Sequence, residues 1–371
     1  MTLSRRHFLR TSAAFGGASV ASLAMPNRTL AANSIDVGVL FSQTGGLSII
    51  EKSLSDATLM AISEINSAGG VLGQQINPIV EDGASDPKTF NEKASKLVIR
   101  DRVASVFGCY TSASRKAVLP VVEKRRNLLF YPTYYEGSEC SKSIVYTGAV
   151  PNQQLSVFIP WIINTLGKKK FFIVGSNYVY PREMAKVSKI LIEQNGGEWV
   201  ADEYLELGHS EWGAMVGKIK ASGADVVLSN VVGDSIIAFY REFINQGLTH
   251  AELPICATVT AEIEVAAMGA DYAAGSYTSV PYFQAIESEA NTSFIERFRA
   301  FTNDPKAVSH HAMESSYFQV YLWKQAVEAA GKATPAAIVE GVKGQSFDAP
   351  NGRVTVDSDS LHVYLTPRIA Q

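Results

Sequence analysis

From residue 35 onward, short and nearly continuous apolar runs alternate with longer stretches in which apolar residues recur every three or four positions. These are the marks of buried strands and amphipathic helices. The first run, 35–41, reads as a strand. Leu54, Leu59, Ile62 and Ile65 set a helix over 51–67 that stops at Gly69-Gly70. A strand at 75–81 precedes a helix that opens on Asp86-Pro87 and runs to residue 100. Asp caps such a start, and the proline lacks an N–H that would be unpaired there anyway. Strands at 103–109, 127–131 and 143–147 follow, with a helix over 114–126 after the first of them. The alternation then restarts, with helices over 153–166, 182–195, 212–221 and 234–245 and strands at 170–175, 198–204, 225–231 and 253–257. Two αβ series in succession predict an α/β protein with two doubly wound parallel sheets. The break falls at YTGAVPNQQ, 146–154, which carries Gly148 and Pro151. After 276–283 the pattern turns helical over 292–301, 310–330 and 335–342, then ends in a short strand and turns. These late helices need a sheet to pack on, and a return to the first domain would supply one.

Composition narrows the class of partner. The 371 residues are 46% hydrophobic and 19% charged, with a formal net charge of −3. Residues 1–31 hold Arg5, Arg6, Arg10 and Arg28 and no acids, so the remainder carries 29 basic against 36 acidic residues. An acidic remainder has no electrostatic footprint for nucleic acid or anionic lipid. The segment SRRHFLR, a weakly apolar run and MPNRTLAAN have the layout of an export signal, and Ser4-Arg5-Arg6 with Phe8-Leu9 resembles the twin-arginine type. Cleavage is expected after Ala31, leaving the chain free in the periplasm with no membrane insertion. Cys109, Cys140 and Cys256 are an odd set, which excludes a disulfide framework. Unpaired thiols are expected, a single Cys109–Cys140 bridge being the alternative.

The candidate chemistry lies just past the strands, where open α/β sheets hold ligands. CYTSAS (109–114), YPTYYEG (131–137), SNYVYPRE (176–183) and TVTAE (258–262) supply Tyr110, Ser112, Tyr131, Thr133, Tyr178, Tyr180 and Thr260. In extended chain, side chains two apart share a face. That pairs Tyr110 with Ser112, Tyr131 with Thr133 and Tyr178 with Tyr180. Tyr131 and Tyr180 precede prolines, which favour extended geometry, and Pro181 suits a first helical position. A lone strand-end tyrosine is commonly a half-buried aromatic; three similar clusters point to a site. Hydroxyls donate and accept without charge, so the lining suits binding of a small neutral molecule with a carbonyl and NH₂ groups.

Other motifs do not assemble. Ser85-x-x-Lys88 lacks the companion elements of a serine–lysine hydrolase, and GAMVGK (213–218) has the wrong spacing for a phosphate loop. His310-His311 has no Cys/His set beside it and reads as an exposed helix start. The Met and aromatic positions along 313–323 read as core packing. No paired nucleophile and base is visible, so no enzyme, cofactor or metal is expected.

The segments GCYTSASRKAVLPVVEK, LLFYPTYYEG, IVYTGAVPNQQ, FIVGSNYVYPRE, DVVLSNVVG and VPYF resemble the family of urea and short-chain amide binding proteins, over about 35–353. That family includes the urea-transporter receptor and the amide sensor of amidase operons, within the branched-chain amino acid binding superfamily. The resemblance implies a type I periplasmic-binding-protein fold, two doubly wound parallel-sheet lobes joined by three crossovers at about 147–152, 280–283 and 345–350. Lobe I would hold 34–147 and 284–345, and lobe II 152–280 and 350–371. It further implies an ABC-importer receptor that docks on permease subunits and binds urea or a small amide through Tyr110, Ser112, Tyr131, Thr133, Tyr178 and Tyr180. Where the amide sensor has a threonine pair, only Thr260 stands here. Rival readings are an amino acid receptor of the same fold, with Glu136, Glu183 or Glu262 serving the ammonium, and a ligand-sensing amide regulator.

Overall fold

The computed structural model describes residues 34–371. The expected export signal at 1–31 lies outside the described residues. The first sheet contains β1 (Ser34–Phe41), β2 (Gln75–Asp82), β3 (Val106–Gly108), β4 (Leu129–Tyr131) and β5 (Ile144–Tyr146), in the order β2-β1-β3-β4-β5, all parallel. Helices α1 (Ser48–Ser67), α2 (Pro87–Ser95) and α3 (Ser112–Arg125) connect the first four strands. Val37, Val39, Leu40 and Phe41 are fully buried, because a parallel sheet covered on both faces needs apolar residues at consecutive positions. Asp86 caps α2 through a 2.8 Å bond from the Thr89 N–H, with Pro87 at the first helical position.

The chain then builds the second layer. It runs through α4 (Leu155–Asn164), β6 (Lys170–Ser176), α5 (Val179–Gln194), β7 (Glu198–Leu205), α6 (Gly213–Ala221), β8 (Val226–Asn230), α7 (Ser235–Asn245) and β9 (Ile255–Ala257). The short helices α8 (Glu262–Met268) and α9 (Ala270–Ala273) lead to β10 (Tyr277–Val280). α10 (Glu289–Thr302), α11 (His311–Ala330) and α12 (Pro335–Val342) follow, and α11 packs along α1 and α12. Trp323 of α11 donates its indole N–H to Ser105 Oγ at 3.1 Å, which fastens the helix to the first sheet. Of the Met and aromatic positions expected to be core along 313–323, Met313, Phe318 and Trp323 are fully buried and Tyr317 nearly so, while Tyr321 is half-buried and donates its hydroxyl to Glu64.

A small antiparallel sheet, β11 (Ser346–Ala349), β12 (Gly352–Val356) and β13 (Val363–Tyr364), precedes the last strand, β14 (Arg368–Ala370). The second large sheet has the order β14-β10-β9-β8-β6-β7, with only β14 antiparallel. The segment 350–371, expected as one piece of the second lobe, is therefore divided. His362 bridges to Tyr146 of the first sheet and stacks on its ring at 4.2 Å, while β14 alone joins the second sheet. A stacked pair 216 positions apart leaves no periodic trace in either segment.

Cys109, Cys140 and Cys256 are unpaired. Among the described residues no helix is long and apolar enough to cross a membrane.

One crossover is built around a close approach. A Cβ on Gly148 would lie 2.0 Å from the Thr133 carbonyl carbon and 2.4 Å from the Tyr134 nitrogen. Both are backbone atoms, which cannot swing aside. Gly148→Ala is expected to cost about 1–3 kcal/mol and to displace the 133–134 loop. Chemical denaturation checks this; a midpoint equal to that of the unaltered protein would show that the loop moves freely.

Candidate functional site

In each large sheet one strand has its neighbours entered from opposite directions: β1 lies between β2 and β3, and β6 between β7 and β8. Loops leaving such strand ends diverge and open a crevice. On the first sheet the exit is sharp. Cys109 adopts φ +68°, a left-handed conformation rare for a side-chain-bearing residue and characteristic of strand ends that present a functional group. Tyr110 follows it. Thr111 then caps α3 by accepting from the Ser114 N–H at 3.0 Å, so the helix begins at Ser112.

Early helix starts redistribute the expected pairs. Because α3 starts at Ser112, Tyr110 and Ser112 do not share a face. On the other sheet, α5 begins at Val179, and Pro181 sits inside the first turn rather than at its first position. The first-turn N–H groups have no intrahelical acceptor, so a proline is tolerated there and overrides the extended bias on Tyr180. Tyr178, extended at φ −152°, occupies the position before the helix and makes no side-chain cap.

What meets in the crevice is a box of four tyrosines. The Tyr110 and Tyr134 hydroxyls are 2.8 Å apart. The Tyr134 ring lies 5.4 Å from that of Tyr180, contributed by the other sheet, and Tyr180 is 6.3 Å from Tyr178. Tyr180 approaches Thr258 Oγ1 at 3.2 Å, and Thr258 donates to Asn230 Oδ1 at 2.6 Å. Burial raises the phenols of Tyr110, Tyr134, Tyr178 and Tyr180 far above their ordinary range, so all four are neutral. Tyr134 was not singled out in the sequence. It lies one position past the expected Thr133, within the same hydroxyl-rich run.

Burial raises the Tyr110 phenol, and the charges of Glu264 and Glu51 add to that rise. Glu264 Oε2 accepts from the Ala261 N–H at 3.0 Å and Glu51 Oε2 from the Ser42 N–H at 2.6 Å, while Oε1 of each is buried without a partner. Burial pushes both carboxyls up to about 8, against those backbone bonds. His311 adds an imidazole 4.7 Å from the Tyr134 ring. The expected exposed start at His310-His311 is corrected: the residues are 0% and 5% exposed, since α11 begins beneath the crevice.

Ser112 and Tyr131 turn to a second cluster. Arg115, fully buried, donates to Ser112 Oγ at 2.9 Å, Glu136 Oε1 at 2.8 Å and Glu139 Oε1 at 2.9 Å. Its guanidinium lies 4.9 Å from the Tyr131 ring and 4.3 Å from that of Tyr135. Ser112 also donates to Glu136, and the Tyr131 hydroxyl donates to the Tyr110 carbonyl at 2.8 Å. Thr133 makes a long 3.4 Å bond to the Cys109 carbonyl. The first-sheet wall is thus ionic behind its phenols, a feature the hydroxyl pattern did not disclose.

Thr260 is not brought to the box. Its hydroxyl meets Tyr240 at 3.2 Å and lines a separate cavity of about 380 Å³ with Glu262 and Phe283. The carboxylates suggested for an ammonium already have partners: Glu136 is paired with Arg115, Glu183 with Lys186 at 2.7 Å, and Glu262 accepts from the Gln284 N–H. Among the described residues no His, Cys, Asp and Glu cluster is arranged to hold a metal ion.

The two halves touch at the mouth. Gly46 and Leu47 of the first approach Gly233 and Asp234 of the second, around a cavity of about 170 Å³.

Comparison with known proteins agrees with this architecture. Residues 35–371 match the model of the periplasmic binding protein domain. The chain is 25% identical over 352 residues to a leucine-, isoleucine-, valine-, threonine-, and alanine-binding protein of Pseudomonas aeruginosa, covering 94% of this chain and 92% of that one. It is 25% identical over 283 residues to a Leu/Ile/Val-binding protein homolog of Brucella suis, covering 75% and 72%. Among solved structures it resembles a Streptococcus pneumoniae branched-chain amino acid transporter substrate binding protein in complex with isoleucine (TM-score 0.81, 22% identity, 91% and 95% covered). A Rhodopseudomonas palustris solute binding protein in complex with 4-hydroxybenzoate is similar (TM-score 0.82, 21% identity, 91% and 93% covered).

Proposed function

Since the chain belongs to the periplasmic binding protein domain family, we propose that it is the solute receptor of an ABC importer and that its solute is urea or a short-chain aliphatic amide. The observation that carries the ligand class is the box itself: neutral phenols from both sheets, Tyr134 packed against Tyr180, with the buried, unpartnered Glu264 Oε1 offered as the acceptor for the NH₂ end. A planar amide offers a carbonyl that accepts from a phenol and an NH₂ that donates to the carboxyl. Its flat faces suit the tyrosine rings. Arg115, the group best suited to a ligand carboxylate, is already taken by Glu136 and Glu139.

Tyr110 and Tyr134 receive the solute on one lobe, and Tyr178 and Tyr180 latch it from the other. Ser112, Tyr131 and Thr133 hold the receiving wall in place. Contacts made only when the lobes meet would bias the hinge toward the closed form that docks on the permease subunits. The Tyr178 hydroxyl makes no hydrogen bond within the described residues, its backbone N–H alone donating to the Ser176 carbonyl, so the hydroxyl is free for the solute. Tyr178→Phe is expected to weaken binding by about 1 kcal/mol, roughly fivefold, with an unchanged melting temperature. Unchanged affinity in a calorimetric titration would remove Tyr178 from the site.

The bare carboxyl oxygens favour one second reading, an amino acid whose ammonium meets Glu264, in keeping with the names of the Pseudomonas and Brucella relatives. A thermal-shift panel of urea, formamide, acetamide, butyramide and leucine separates the two. Stabilisation by leucine without response to the amides would replace the amide reading. Periplasmic delivery through the twin-arginine segment is tested by fusing residues 1–34 to a reporter.

A further inference from the structure

We propose that His311 and the uncapped first turn of α11 receive the acceptor oxygen of the solute, a proposal that rests on reading the tyrosine box as the solute site. A helix start leaves its first N–H groups without intrahelical acceptors, and a buried start normally supplies a cap. α11 has none: His310 occupies the capping position and makes no side-chain cap. His310, His311, Ala312 and Met313 are all buried, at 0%, 5%, 1% and 0% exposure, so these donors are withdrawn from bulk solvent.

The two imidazoles are not equivalent. His310 Nε2 lies 2.7 Å from Ser53 Oγ, and Ser53 spends its own proton on the Ile50 carbonyl at 2.7 Å. His310 therefore carries its proton on Nε2 and is engaged with α1. Its backbone is bridged to Phe283 in the crossover between the lobes. His311, on the neighbouring face, has both ring nitrogens buried and unpartnered. A neutral imidazole has one N–H to donate and one lone pair to offer. A buried side chain with neither satisfied is costly unless a partner arrives. The ring is placed to meet one, tilted 38° against Tyr134 at 4.7 Å, with Tyr134 bonded to Tyr110 and packed on Tyr180. An oxygen seated there takes the His311 N–H and lies at the positive end of a 20-residue helix. The oxygen end of a planar amide held there abuts the crossover that must bend on closure.

The test uses the full mature chain with nitrogen-15-labelled histidine, and urea and acetamide as probes. The His311 ring signals are assigned by their loss in His311→Phe. Saturation with either probe is expected to shift one His311 ring nitrogen toward the hydrogen-bonded range. His311→Phe is expected to lower affinity for both probes roughly tenfold or more, and His311→Gln, which keeps a donor, to recover part of it. A purely structural histidine would shift the melting temperature and leave the ring signals indifferent to the probes. If both probes bind the unaltered chain while the His311 signals stay in place and His311→Phe binds equally well, the assignment of His311 is wrong and the solute reading survives. If neither probe binds the unaltered chain, the solute reading fails and the role of His311 falls with it.

Discussion

Arg115→Met should destabilise the protein by about 3–5 kcal/mol, because it leaves two buried carboxylates facing apolar surroundings. Glu136 and Glu139 have side chains only 5% and 10% exposed, and Arg115 itself is sealed at 0%. Lys116 reaches Glu139 at 2.9 Å but is half exposed and lies 3.9 Å from Glu136, so it replaces little of the lost partner. Methionine restores the stem packing between Tyr131 and Tyr135, so the loss isolates the charge. The loss should be largely recovered by adding Glu136→Gln and Glu139→Gln, which remove the two abandoned charges. Guanidinium chloride denaturation measures it without introducing urea, a candidate solute. A loss under about 1 kcal/mol would mean that the pairs behave as surface ion pairs. Because Ser112 and Tyr131 rest on this guanidinium, solute affinity should fall in parallel.

Glu264→Gln should do the reverse to stability while damaging binding. The buried carboxyl, pushed up to about 8, holds its proton in the folded chain long after it would be lost in the unfolded one, whose ordinary value is 4.5. The folded state therefore binds more protons between these values, and the unaltered protein loses stability as pH rises from about 4.5 toward 8. Glutamine removes that dependence, so the variant should gain relative stability as pH rises. It can still accept from the Ala261 N–H, which keeps the start of α8 intact. Its amide NH₂, however, would confront the NH₂ of urea or acetamide. Such a donor–donor contact costs about 1–3 kcal/mol, between roughly fivefold and a hundredfold in affinity. In the unaltered protein an N–H donated to Oε1 favours the ionised carboxyl, so affinity for these solutes should increase toward pH 8. Calorimetric titrations across pH check both halves. A Glu264→Gln protein that binds urea and acetamide normally at every pH would place the NH₂ end elsewhere.

Several of these groups could not have been found by reading along the chain. The alternation of apolar runs and helical spacing placed both parallel sheets and the core face of α11, because burial between helix layers demands apolar residues at set intervals. Strand ends rich in hydroxyls marked the crevice for the same local reason: polar residues begin where the sheet stops. The expected pair of Tyr110 with Ser112 is split, since α3 starts at Ser112 and turns it toward Arg115, whereas Tyr178 and Tyr180 stay together, their rings 6.3 Å apart, although α5 already begins at Val179. Thr260 carried a family resemblance yet faces Tyr240, and Tyr134, beside Thr133, faces the box.

Residue order alone thus determined the fold class, the two-sheet division and the neighbourhood of the site, all consequences of short-range periodicity. Tertiary structure decided which groups occupy the crevice: Tyr134 against Tyr180, His311 against Tyr134, and Arg115 behind the wall. Direction past a strand end depends on where the next helix starts and on what packs from the other sheet. Tyr134 and Tyr180 lie far apart along the chain, and nothing in the local sequence of either records that their rings meet.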